Sequence, residues 1–224
     1  MIAMEQEITW NDYYKDRVRN GDYMEAFINK YSRFIEEIIL NIKRLSNKSK
    51  TPLVLKEEGC GIGTISLAIS DTEDKLIGSF GLKNSSDIKE VSKVVLSDIN
   101  TSMLKLCYKN TNPIFSGSYL GKVPFFYTKE NICDPKFFES RTLVVTHGVL
   151  EHFSDENIVK IISTYDDDNV LFQAHYVPTD KYEKQSFGDE RLLPVETWIT
   201  LVNPDYYILD NDGTDLYMFK RKNK

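Results

Sequence analysis

The stretch Val54-Leu55-Lys56-Glu57-Glu58-Gly59-Cys60-Gly61-Ile62-Gly63-Thr64 decides the fold. Apolar residues open it and three glycines follow at alternate positions. A helical segment continues from Thr64, so the stretch reads as a strand turning directly into a helix. Glycines placed this way allow backbone dihedrals closed to other residues and let a ligand touch the main chain. Working outward, short buried-strand segments alternate with helical ones. Strands are expected at Leu53-Val54-Leu55, Val94-Val95-Leu96, Phe125-Phe126-Tyr127, Leu143-Val144-Val145 and Val170-Leu171-Phe172, with helices around 64–69, 102–109, 155–165 and, behind Pro194, 195–202. Such alternation implies right-handed crossovers and a mostly parallel sheet covered on both faces. The C-terminus breaks the rhythm: Tyr206-Tyr207-Ile208-Leu209 and Leu216-Tyr217-Met218-Phe219 flank an Asp-Gly turn and read as a hairpin. Residues 70–90, with Gly78, Gly81 and Asn84-Ser85-Ser86, read as an inserted excursion.

Ahead of the loop the first fifty residues read as helical. Asp22 is the expected N-cap, with Glu25 three residues on. Met24, Phe27, Tyr31, Phe34, Ile35, Ile38 and Ile42 then recur at three- and four-residue steps, one amphipathic helix. Trp10-Asn11-Asp12-Tyr13-Tyr14 suggests a shorter, aromatic-bearing helix before it. The expected organisation is a helical cap or lid over 1–50 and an α/β domain over 51–224.

Composition narrows the class. Of 224 residues, 41% are hydrophobic and 28% charged, which excludes disordered and collagen-like chains. No segment approaches the ~20 apolar residues of a membrane span, and the N-terminus lacks the basic and apolar regions of a secretory signal. Cys60, Cys107 and Cys133 form neither a zinc pattern nor a disulfide framework, so no metal is expected and the chain reads as a cytoplasmic protein of a reducing compartment. Net charge is −6, a poor start for gripping a phosphate backbone. The short basic cluster Lys43, Arg44, Lys48 and Lys50 falls at a helix C-terminus, where cations answer the dipole.

Two ligand classes compete for the glycine loop. A dinucleotide fold wants Gly-x-Gly-x-x-Gly, with the pyrophosphate on the helix N-terminus; here Thr64 stands where the third glycine belongs. Glu57, two residues before the first glycine, would repel a pyrophosphate and attract an ammonium group. S-adenosylmethionine, with an α-amino group, a sulfonium and no phosphate, suits that charge better.

Glu57-x-Gly59-x-Gly61-x-Gly63 resembles motif I of the class I S-adenosylmethionine-dependent methyltransferases. The resemblance extends over residues ~50 to 224. Val94-Val95-Leu96-Ser97-Asp98-Ile99-Asn100 is similar to that family's second strand with its terminal acid, implying that Asp98 accepts the ribose hydroxyls beside Ile99. Lys129-Glu130-Asn131-Ile132-Cys133-Asp134 resembles the segment lining adenine, with Asn131 at the polar position, Glu130 or Asp134 as alternatives to it, and Ile132 as N–H donor and apolar wall. Thr146-His147-Gly148-Val149-Leu150-Glu151-His152-Phe153 resembles the segment after the fourth strand, with its Leu-Glu-His triplet. The resemblance implies cofactor contacts from Glu57, Gly59, Cys60, Gly61, Gly63, Asp98, Ile99, Asn131, Ile132 and His147. It also implies a Rossmann-like doubly wound seven-stranded sheet of order 3-2-1-4-5-7-6 with the last strand antiparallel.

Open parallel sheets bind ligands beyond the carboxyl ends of their strands. His147 and His175 fall at such ends and are the expected catalytic bases, while His152 is divided between bracing and binding. Asp189-Glu190-Arg191 reads as a salt-bridged turn, and Trp10, Tyr13 and Tyr14 as part of a lid. The proline-rich motif of nucleic-acid amino-methyltransferases is missing after the fourth strand. The expected activity is therefore methyl transfer to a small molecule, with neither nucleic acid nor membrane as partner. A non-catalytic S-adenosylmethionine-binding protein is the first alternative and an NAD-dependent oxidoreductase the second.

Overall fold

Strand β1 (Leu53–Glu58) is buried at all six positions, as a central strand in a sheet covered on both faces should be. The structure, a computed structural model, describes residues 10–48, 51–69, 91–112, 123–134, 137–185 and 189–222. Lys56 and Glu58 share one face of β1 and Glu57 the other. Buried charge must be answered locally: Lys56 Nζ lies 3.1 Å from Glu58 Oε1 and donates to Glu130 Oε2 at 2.7 Å.

The chain forms two compact units, 1–131 and 132–224. In the first, β1 pairs in parallel with β2 (Val91–Asp98), and β2 with β3 (Phe125–Lys129). Helices α1 (10–15), α2 (Gly21–Lys30) and α3 (Ser32–Asn47) precede β1, α4 (64–69) follows it, and α5 (Thr101–Thr111) follows β2. The expected single amphipathic helix is two, because Tyr31 (φ −106°, ψ 21°) interrupts the backbone between them. The N-cap is Asn20 rather than Asp22: Tyr23 N–H donates to Asn20 Oδ1 at 3.0 Å. Asp22 instead lies in the first turn, where a carboxylate favours the dipole. Phe34, Ile35, Ile38, Ile39 and Ile42 form the buried stripe of α3, and Arg44 occupies its last turn as expected.

In the second unit β4 (Thr142–His147) pairs in parallel with β5 (Val170–Pro178), and β7 (Asp215–Arg221) runs antiparallel to both β5 and β6 (Tyr206–Asp210). Helices α6 (Asp155–Thr164) and α7 (Val195–Val202) complete it. Its core gathers Phe138, Val144, Leu150, Ile158, Ile161 and Trp198, and Trp198 Nε1 donates to Pro178 O at 3.0 Å. The hairpin between β6 and β7 turns through Asn211–Gly213, with Asp212 and Gly213 at positive φ. The seven strands run β3-β2-β1-β4-β5-β7-β6, the expected order with the last strand antiparallel. Residues 70–90, expected as an excursion, lie outside the described residues. No helix among the described residues is long and apolar enough to cross a membrane.

Candidate functional site

Beyond β1 the chain visits the left-handed region three times, at Gly59 (φ 66°), Gly61 (φ 53°) and Gly63 (φ 73°), which explains the alternate-glycine spacing. The loop is pinned from several sides. Cys60 N–H donates to Ser97 O at 2.9 Å, and Gly63 N–H to Cys60 O at 2.7 Å. Asn110 Nδ2 donates to Ile62 O at 2.9 Å while its Oδ1 accepts from Arg19 N–H at 2.8 Å. Asn110 is thus a buttress that local sequence does not announce. A side chain at Gly63 would lie 2.9 Å from both Cys107 Sγ and Thr111 Cγ2, so α5 packs directly onto the loop.

Glu57 has a different job from the one its charge suggested. It is buried, and its Oε2 accepts from Ser66 N–H at 3.0 Å and from Ser66 Oγ at 2.5 Å. The carboxyl therefore closes the N-terminus of α4, the place where a dinucleotide fold seats its pyrophosphate. Burial pushes its pKa up to about 7, against the Ser66 hydrogen bonds. Asp98, the last residue of β2, binds the loop itself: Gly61 N–H donates to its Oδ2 at 3.0 Å and Asn100 N–H to its Oδ1 at 2.8 Å. Burial raises this carboxyl too. Each Asp98 oxygen keeps acceptor capacity beyond the bond it makes here. Beside it Ile99 is 59% exposed, an apolar side chain held out at the strand end.

After β3, the Glu130 carboxylate is engaged by Lys56 and Asp134 is exposed; Asn131 is half-buried between these residues in sequence. Ile132 does not present the expected apolar wall. Its side chain is buried, in the core cluster of the second unit that also holds Phe138, Val149 and Leu150. At the N-terminal side, the Tyr14 ring approaches the loop, its Cζ 3.8 Å from where a Cβ on Gly61 would stand. Trp10 stacks on Tyr14 with centroids 5.9 Å apart, and Tyr13 meets it edge-on at 4.8 Å.

In the second unit His147 ends β4 half-buried, its ring stacked on Tyr176 with centroids 4.4 Å apart. Tyr176 is held in turn by Asp215, which sequence reading missed. The Tyr176 hydroxyl donates to Asp215 Oδ1 at 3.0 Å and the Tyr182 hydroxyl to the same atom at 2.6 Å, while Asn211 Nδ2 donates to Oδ2. Asp215 is fully buried, so this satisfied network fixes the ring on which His147 lies.

His175 is not placed as a base. It is fully buried, with Nδ1 2.9 Å from Thr146 Oγ1, Nε2 3.4 Å from Gln173 Oε1 and its ring stacked on Tyr165. Burial lowers its pKa to about 3, so it stays neutral. Glu151 is likewise buried, and burial, reinforced by Glu190 and Asp189, raises it to about 8. The turn expected at 189–191 braces this region: His152 Nδ1 lies 3.1 Å from Asp189 Oδ1, and Arg191 Nη2 donates to Asp155 Oδ1 at 2.5 Å.

The sequence matches no protein-family model and no curated protein. Solved structures do resemble it. Magnesium protoporphyrin IX methyltransferase from Synechocystis PCC 6803, with bound SAM, is 11% identical and superposes with a TM-score of 0.58 over 97% of each chain. The small RNA methyltransferase HEN1 gives 0.62 at 12% identity over 86% of this chain and 25% of its own. PigF with SAH gives 0.54 at 11% identity over 93% and 62%. With the strand order and the glycine turn after β1, these likenesses give the chain the fold of the class I S-adenosylmethionine-dependent methyltransferases.

Proposed function

We propose that this chain is an S-adenosylmethionine-dependent methyltransferase acting on a small-molecule acceptor. The observation that carries the reading is Glu57 on Ser66. A carboxyl already occupies the helix N-terminus after the glycine loop, so a ligand seated there has no pyrophosphate to place. A nucleoside without phosphate fits what remains. The backbone of Gly59, Cys60, Gly61 and Gly63 forms the floor, Asp98 accepts from ribose hydroxyls, and Ile99 and Asn131 serve the adenine. Tyr14, with the N-terminal helices α1 to α3, acts as a cap on this loop.

When bound, the cofactor supplies a methyl group already activated by a positive sulfur. The chain's own work is to hold the acceptor in line with that group, where positioning contributes roughly 7–11 kcal/mol, and to take a proton from a hydroxyl or ammonium acceptor. His147 is the candidate base, its ring oriented by Tyr176 and Asp215. The acidic net charge of −6 argues for a small acceptor over a nucleic acid.

Transfer of labelled methyl from S-adenosylmethionine to components of a metabolite extract tests the activity, read as mass gain of one methyl group. Asp98→Ala is expected to weaken S-adenosylhomocysteine about 10–100-fold through lost charge-assisted hydrogen bonds. His147→Ala is expected to lower kcat about 10²-fold or more while shifting that affinity by less than about tenfold. Cofactor binding with no labelled product from any extract would instead favour a non-catalytic binding protein.

A further inference from the structure

The sequence separates Cys60 and Cys107, but the fold brings them together. Cys60 lies between the first two glycines of the loop and Cys107 on the helix that packs against it, and their sulfurs are 3.9 Å apart. Both are free thiols, 4% and 0% exposed. A disulfide would close that gap to about 2.05 Å. Cys107 Sγ also packs over Gly63, 2.9 Å from where a Cβ there would stand, so the helix sulfur lies close to the loop at a second residue.

We infer that Cys60 and Cys107 are a reversible oxidation site, forming a disulfide that ties the glycine loop to α5 and withdraws it from its ligand. The oxidant is a peroxide. The Cys60 sulfur attacks one peroxide oxygen, the O–O bond breaks, and Cys60 becomes a sulfenic acid with release of one water. The Cys107 sulfur then displaces the hydroxyl group from Cys60, forming the S–S bond and releasing a second water. Two electrons pass from the thiols to the peroxide, and both thiol protons end in water. A dithiol reductant returns the pair by exchange. The neighbouring Cys107 sulfur and burial raise the Cys60 thiol pKa, so oxidation is slow. Cys133, only half-buried, provides an internal comparison.

The effect on the ligand rests on the proposed cofactor; the disulfide itself does not. Treatment of the whole chain with hydrogen peroxide, then alkylation and peptide mapping, is expected to show a 60–107 cross-link with a mass loss of about 2 Da. The cross-link should be absent from Cys60→Ser and Cys107→Ala and erased by dithiothreitol. In the oxidised protein, S-adenosylhomocysteine affinity should fall at least about tenfold and recover on reduction. The inference is overturned if both cysteines stay alkylatable while Cys133 oxidises, if each ends as a separate sulfinic acid, or if the disulfide forms with affinity unchanged. If the reduced protein binds no S-adenosylhomocysteine, the cofactor reading fails, and the cross-link alone then decides whether the site exists.

Discussion

Gly63→Ala is expected to unfold the glycine loop. The residue stands at φ 73°, which costs a side chain roughly 1–2 kcal/mol. The new Cβ would also lie 2.9 Å from Cys107 Sγ and from Thr111 Cγ2. Both belong to buried residues of α5, so relief requires shifting a helix, an overpacking cost of roughly 1–3 kcal/mol. Together these predict a loss of about 2–5 kcal/mol, seen as a thermal-melt decrease of about 5–15 °C. Gly21→Ala is the control. Nothing lies within 4 Å of its Cβ position, and it opens α2, so alanine there should be neutral or stabilise by up to ~1 kcal/mol. Equal melting changes in the two variants would contradict the packing described for Gly63.

Raising pH from about 5.5 to about 8.5 is expected to cost the fold on the order of a few kcal/mol. Glu57 and Glu151 have folded pKa values raised to about 7 and about 8 by burial, against roughly 4.3 in an unfolded chain. Between those limits the unfolded chain has released both protons while the folded one retains them. Their stabilising contribution is thus complete below about pH 4 and lost as pH rises through the folded values. Glu151→Gln, which keeps the shape of the protonated acid, should raise stability at about pH 8.5 and flatten the slope, leaving about pH 4 unchanged. Denaturant unfolding across this range measures it. A wild-type profile that rises toward pH 8.5, or a variant with the same slope, would refute this assignment.

Much of the frame was legible because it is encoded locally. The alternate glycines demanded three left-handed residues, and Gly59, Gly61 and Gly63 adopt them. Apolar runs marked the strands, and Asp98 stands at a strand end as expected. What escaped depended on partners distant in sequence. Glu57 reads as a free anion until Ser66 is seen to bind it, and Asn110 and Asp215 draw together residues dozens of positions apart. Ile132 follows the same rule, since its core cluster is built from β4, β5, β7, α6 and α7. The His175 assignment failed for a reason the sequence contains only in part. Adjacent strand residues face opposite sides, and it is Tyr176 that pairs in register with His147 and stacks on it, which turns His175 into the core. Tyr31 interrupts α2 and α3 with no proline or glycine at that position, so periodicity alone runs through it.

Calorimetric titration with S-adenosylhomocysteine and, separately, NADH tests the central claim that a carboxyl-capped helix leaves room for a nucleoside but not for a diphosphate. One-to-one binding of S-adenosylhomocysteine, weakened by Asp98→Ala, with no heat from NADH, is the predicted result. Saturable binding of NADH at the glycine loop, or no binding of S-adenosylhomocysteine to the reduced protein, would contradict it.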